Sequence, residues 1–294
     1  MKHTFKVTLF LVTLFLCAQI LGLIIINKYV DVAKTSETGE LSWQPLPSIG
    51  GVSIARPEVA PEKSFLYILG AIMIGTMLIL LIIKLGRITI WKLWFFIAVL
   101  VCLHIAFSAF IPSMYSFVLA LLFAFMKIFK PNIFVHNFTE LFIYGGLAVI
   151  FVPIMNTFAA VALMLVLSVY DMYAVWKSKH MVTMAKFQTK SGIFAGMLIP
   201  YKITAMSASE KKVKMEPVRT AILGGGDIGF PLIFSGVVLK NFGFYPALIM
   251  PFVISLALLG LLLLGKKKHF YPAIPFLTIG CIVGYLIVKL IFSV

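Results

Sequence analysis

The sequence predicts an all-α, polytopic membrane fold of nine transmembrane helices, forming a single domain over residues 1–294. Of its 294 residues, 62% are hydrophobic and 12% charged, about half the charged fraction of an ordinary soluble domain. Apolar runs long enough to cross a bilayer as helix, about 17 to 25 residues each, recur from end to end with short polar gaps between them.

The runs fall near 7–26, 64–83, 93–112, 113–129, 133–154, 157–176, 220–239, 243–264 and 271–291. The first follows Lys2 and Lys6, as a secretory signal would, but no small-residue cleavage site precedes Asn27, so it reads as a retained span. A tight Ile111-Pro112-Ser113 turn divides the third from the fourth, and Pro153 with Asn156 divides the fifth from the sixth. Two loops are long. Residues 27–63 hold Pro45, Pro47, Pro57 and Pro61 and five acidic residues, and read as irregular. Residues 177–219 contain a short apolar stretch, Gly192 to Tyr201, suited to an interfacial or re-entrant segment but too short to span.

The net charge of +15 does not point to nucleic acid, because Lys and Arg lie in the gaps between apolar runs and no nucleic-acid-binding motif carries them. They report orientation instead. With the N-terminus inside, nineteen of the 25 Lys and Arg residues face the cytoplasm, among them Lys84, Arg87, Lys127, Lys130 and Lys266 to Lys268. This asymmetry predicts an N-in, C-out topology, with loop 27–63 outside and loop 177–219 cytoplasmic. Cys17, Cys102 and Cys281 all fall in apolar runs and form no Cys-x-x-Cys pair, so they read as packing residues rather than as a disulfide or zinc framework.

Seven of the ten acidic residues lie in loops, leaving Glu140, Asp171 and Asp227 in spans. An ionisable group at membrane depth costs on the order of 3 kcal/mol, which makes each a functional candidate. Asp171 stands six residues before Lys177, about 9 Å along a helix, and Asp227 eight residues after Arg219, about 12 Å. Two carboxyl groups on consecutive spans are thus expected at similar depth. Brought together at low dielectric they share a proton, so that one serves as base while the other serves as acid, with no metal or cofactor. Gly224, Gly225, Gly226 and Gly229 around Asp227 weaken the helix and open its backbone to close approach; the other reading of these glycines is tight helix packing. Glu140, flanked by His136, Asn137 and Thr139, reads as a structural residue at a polar interface edge.

The segment Val169-Tyr170-Asp171-Met172-Tyr173-Ala174-Val175 resembles the Tyr-Asp motif of presenilins and signal peptide peptidases, and Leu223-Gly224-Gly225-Gly226-Asp227-Ile228 resembles their Gly-x-Gly-Asp motif. The resemblance implies a presenilin-like fold and an intramembrane aspartyl protease with Asp171 and Asp227 as catalytic pair, Tyr170 and Gly224 to Gly226 lining the site. The family's Pro-Ala-Leu motif has a literal copy at Pro246-Ala247-Leu248, but this lies at the wrong end of its span. Pro272, Ala273 and Ile274 begin the ninth span on the side of the aspartates, and the motif is assigned there, with Ile274 in place of leucine. The predicted N-in orientation is that of presenilins and implies single-span transmembrane substrates with external N-termini. The compact cytoplasmic loop is similar to that of archaeal homologues, which implies a protease working in the bilayer without obligate partner subunits.

No His-Glu-x-x-His or Gly-x-Ser-Gly motif supports a metallo- or serine-protease. The competing reading is a transporter or ion leak pathway using the same aspartates as a proton or cation relay. The orientation is testable by single cysteines in a background lacking Cys17, Cys102 and Cys281. Ser191→Cys is expected to react with impermeant maleimide only from inside and Ser48→Cys only from outside; the opposite accessibility inverts the topology.

Overall fold

The computed structural model describes residues 5–39, 41–49, 51–177, 187, 192–200, 220–265 and 271–292. Most of the expected 177–219 loop and the Lys266 to Lys268 cluster therefore lie outside the described residues. The helices are α1 (Phe5–Lys28), α2 (Val32–Thr38), α3 (Ser64–Leu85), α4 (Ile88–Ser108), α5 (Ser113–Phe129), α6 (Ile133–Phe151), α7 (Thr157–Trp176), α8 (Gly225–Phe242), α9 (Phe244–Ala247), α10 (Ile249–Leu264) and α11 (Ile274–Phe292). Among the described residues, seven helical segments are long and apolar enough to cross a membrane. The apolar helix α5 is shorter, at 17 residues, and α8, whose first turn holds two glycines and Asp227, is not one of the seven.

Local chemistry sets the breaks. Gly86 closes α3 in the left-handed region at φ 64, with its N–H on the Ile82 and Ile83 carbonyls. Pro112 precedes α5, where its missing N–H removes no helical bond. Asn132 caps α6 by accepting from Phe134 N–H, and Asn156 caps α7 by accepting from Ala159 N–H, each at 2.8 Å.

The centre of the fold is α8. Its residues from Ile228 to Leu239 are buried, apart from the partly exposed Phe230, and it packs on α1, α6, α7, α10 and α11. A helix buried nearly all round belongs in the middle of a bundle. By contrast α3 buries little beyond Ser64 and Ile68 and packs on α7 and α4, leaving an apolar outer surface of the kind that faces lipid. Helices approach most closely where small residues permit. A Cβ placed on Gly146 of α6 would lie 2.0 Å from the Cys102 carbonyl oxygen of α4. Cys102 and Cys281 are buried and Cys17 is exposed on the outside of the bundle.

Four expectations change. The run expected to span from Thr220 starts as a strand: β6 (Thr220–Gly224) pairs antiparallel with β5 (Gly196–Pro200), with Gly196 opposite Gly224, and the helix begins only at Gly225. The stretch expected to be interfacial or re-entrant thus supplies a strand, because a short apolar run serves either structure and the pairing decides. Residues 27–63 are not wholly irregular. They carry α2 and the short pairs β1 (Val30–Asp31) with β2 (Ser42–Trp43) and β3 (Ser48–Ile49) with β4 (Val52–Ser53). Tyr29 hydroxyl donates to the Ile105 carbonyl at 2.8 Å, and Arg56 donates to the Gln44 and Val149 carbonyls at 2.9 and 3.3 Å, tying this segment to α4 and α6. Burial pushes the Tyr29 hydroxyl well above its usual range, so it stays a donor at physiological pH. Lys127, expected as a cytoplasmic flanking charge, is 3% exposed inside the bundle.

Replacing Gly146 by Leu is expected to overpack the α4–α6 contact and destabilise by about 1–3 kcal/mol, read as a lower thermal midpoint in detergent. Gly260→Ala, where a Cβ meets nothing within 4 Å, serves as control. Equal midpoints for both would show that the close approach is not needed.

Candidate active site

Asp171 lies in the second-to-last turn of α7 and is 4% exposed. Its Oδ2 accepts the backbone N–H of Ile274 at 3.2 Å, the first residue of α11. That N–H is one of the donors left over at any helix start, so the beginning of α11 is seated on the carboxyl group. One turn earlier, Ser168 and Thr278 hydroxyls are 2.8 Å apart, so one donates to the other, and the acceptor's own hydrogen goes to a backbone carbonyl within reach, that of Met164 for Ser168 or of Ile274 for Thr278. They fasten α7 to α11 directly beside Asp171. Tyr170 is half-buried and Pro272 buried.

Asp227 is the third residue of α8 and half-buried. Gly224 is the N-cap, still extended at φ −65 and ψ 148, so strand β6 passes into helix within one residue. A carboxyl at this position sits at the helix end whose free N–H groups favour negative charge. The three glycines have separate surroundings. A Cβ on Gly224 would lie 3.2 Å from Asp227 Oδ2, one on Gly225 2.9 Å from the Tyr144 hydroxyl, and one on Gly226 3.2 Å from the Phe230 ring. Pro231 has no N–H to offer the Asp227 carbonyl four residues before it, which loosens the first turns of α8. From α1, the buried Gln19 amide donates to the Ile228 carbonyl at 2.8 Å.

Helices α7, α8 and α11 pack against one another. The structure thus brings the end of α7 with Asp171, the start of α8 with Asp227, and the Pro272 to Ile274 segment to the same end of the bundle. It does not bring Pro246 there: that residue lies in α9, beyond the far end of α8. Ser168, Thr278 and Gln19 escaped the sequence reading. Isolated hydroxyls in apolar runs have no spacing that marks them, whereas a lone Gln19 in the middle of the first span was an available signal. Glu140 is not at a polar edge but 1% exposed and ion-paired to Lys127 at 2.6 Å.

The fold has known counterparts. A family model described as signal-peptide peptidase, presenilin aspartyl protease matches residues 44–294, and the chain belongs to that family. Two solved structures of a presenilin family intramembrane aspartate protease, in space groups C222 and P2, are similar over nearly their whole length, each with a TM-score of 0.61 and 18% sequence identity. The alignment covers 97% of this chain and 99% of the first, and 96% of this chain and 97% of the second. Comparison with curated proteins finds no match. The chain is accordingly a multi-pass integral membrane protein of the presenilin aspartyl protease family.

A double-mutant cycle on Ser168→Ala and Thr278→Val is expected to give a coupling of about 0.6 kcal/mol, the usual size for an interhelical hydrogen bond in a membrane protein. Additive effects in thermal or denaturant unfolding would show that the clasp beside Asp171 contributes nothing.

Proposed function

We propose that this protein is an intramembrane aspartyl endopeptidase that hydrolyses peptide bonds within transmembrane helices, with Asp171 and Asp227 as its acid–base pair. The observation that carries the reading is their placement on packed helices α7 and α8 at one end of the bundle, with the start of α11 bound to Asp171. Family membership supports it at the level of reaction class.

In the proposed reaction one carboxylate takes a proton from water as the water oxygen attacks the scissile carbonyl carbon. The protonated partner gives its proton to the developing oxyanion; as the C–N bond breaks, the first carboxyl passes the proton taken from water to the leaving nitrogen and the partner takes back a proton from a hydroxyl of the tetrahedral intermediate. The pair is treated as one coupled site, and its two roles are not divided between the residues. Substrate helix must first be unwound, because its carbonyls are engaged in its own hydrogen bonds. The glycine-rich start of α8 and the paired strands before it suit an extended chain, with Tyr170, Gly224, Gly225 and Gly226 lining its path and Pro272, Ala273 and Ile274 completing the site. The substrates in this reading are single-span membrane proteins with external N-termini, cut without obligate partner subunits. The topology that goes with it has nine spans, N-in and C-out, with α5 and α8 crossing as the two less regular members.

Purified protein in lipid vesicles is expected to cleave a reconstituted single-span substrate, and Asp171→Asn or Asp227→Asn to lower the rate by at least about 10⁴-fold, as for acid–base groups acting as a unit. Absence of proteolysis, with either variant altering proton or cation flux instead, would replace the protease by an ion pathway. Pro272→Ala is expected to impair cleavage more than Pro246→Ala, and the reverse ranking would move the third motif to α9.

A further inference from the structure

Glu140 lies on α6, away from both aspartates in sequence, and its carboxylate is fully engaged. Oε1 accepts from Lys127 Nζ at 2.6 Å; Oε2 accepts from the Gly196 N–H at 3.1 Å and from the Tyr144 hydroxyl. Lys127 in turn donates to Thr139 Oγ1 at 3.1 Å and lies 3.2 Å from His136 Nδ1, so the ammonium is also surrounded by acceptors. A buried ion pair of this kind contributes little stability beyond an apolar pair of the same shape, so stability alone does not account for it. What it holds is more informative.

Gly196 is gripped on both of its backbone groups, its N–H by Glu140 and its carbonyl by His136 Nε2 at 2.7 Å. Two residues on, the Asn137 side-chain amide exchanges two bonds with Leu198, at 2.8 and 3.0 Å. Alternate residues of a strand offer their hydrogen-bonding groups to opposite edges. Side chains of α6 therefore occupy one edge of β5 as a neighbouring strand would, while β6 occupies the other. Gly196 is also irreplaceable in shape: its φ is +140, and a Cβ would lie 2.2 Å from the Leu223 carbonyl oxygen of β6.

From this anchor two routes reach the start of α8. Strand pairing sets Gly224 opposite Gly196, and Gly225 N–H donates to the Ala195 carbonyl at 3.1 Å. Tyr144, held by Glu140, lies against Gly225 and Gly229, whose added Cβ atoms would be 2.9 Å and 3.5 Å from it. These glycines flank Asp227 by two residues on either side.

We infer that Glu140, held by Lys127, is a positioning residue: through Gly196 and Tyr144 it fixes the turn from Gly224 to Gly229 and hence the place of the Asp227 carboxyl group. Its consequence for catalysis rests on the protease reading above. The requirement is an oxygen acceptor at the Oε2 position, not a charge. Two charge-free pairs separate these, because glutamine keeps the acceptor and leucine does not.

The test uses the full chain in lipid. Lys127→Met/Glu140→Gln is expected to exceed Lys127→Met/Glu140→Leu in kcat by about 100-fold, the size of effect a displacement near 1 Å produces, with KM alike in the two. Backbone hydrogen exchange at residues 196–198 and 222–225 is expected to be faster in the leucine variant, with α10 unchanged. Equal kcat for the two pairs, or equal exchange at 222–225, overturns the inference, as does a kcat difference matched by an equal difference in folded fraction. Should the leucine variant not fold, Tyr144→Phe removes only the hydroxyl; faster exchange at 222–225 supports the inference and wild-type exchange overturns it. If wild-type protein cleaves no substrate, the protease reading falls while the exchange comparison still decides the positioning role.

Discussion

A bilayer offers no water to polar groups inside it, so each must be satisfied by the protein or be maintained at a cost for what it does. This constraint organises the whole chain. It sorts the three carboxyl groups placed within spans: Glu140 is closed in on Lys127, Tyr144 and Gly196, whereas Asp171 rests on backbone N–H groups of Ala273 and Ile274 at a helix start and Asp227 stands in the first turn of another helix. The first arrangement is that of a strut; the other two belong to the pair proposed for catalysis.

The same constraint explains how a pair of strands is tolerated beside membrane helices. An open strand edge would leave its backbone groups unpaired in a water-poor setting. Here one edge of β5 is covered by His136, Asn137 and Glu140 from α6, and the other by β6. Because β6 runs into α8 at Gly224 without an intervening loop, whatever fixes β5 also fixes the start of the central helix. Lys127 is thereby drawn into the bundle, and α5 and α6 become part of the support of a site to which neither contributes an aspartate.

Much of this was legible in the sequence and some of it was not. Composition and run length were enough for a polytopic helical protein, since a run such as Leu66 to Ile83 has no other stable environment. Asp171 and Asp227 stood out because ionised groups are rare in such runs. The strand at Thr220 to Gly224 was not legible: its apolar residues are those of a helix entering a membrane, and the choice was made by a partner some twenty residues away in sequence. Nor was the burial of Lys127, since a lysine at the end of an apolar run is ordinarily a flanking charge, and only its contact with Glu140 across the α5–α6 turn draws it inward. The Pro272 segment could be chosen over Pro246 from its place along the chain, which put it at the end of the bundle where Asp171 accepts from Ile274.

The central claim is that two carboxyl groups work as one acid–base unit, and the dependence of kcat/KM on pH tests it most directly. Measured on a single-span substrate in lipid, with folded state checked at each pH, the account predicts a bell-shaped profile. Its two limbs belong to the coupled pair, activity being lost when both groups are protonated and again when both are ionised. A rate that climbs to a plateau with pH and never falls would contradict it, because a single base would then suffice.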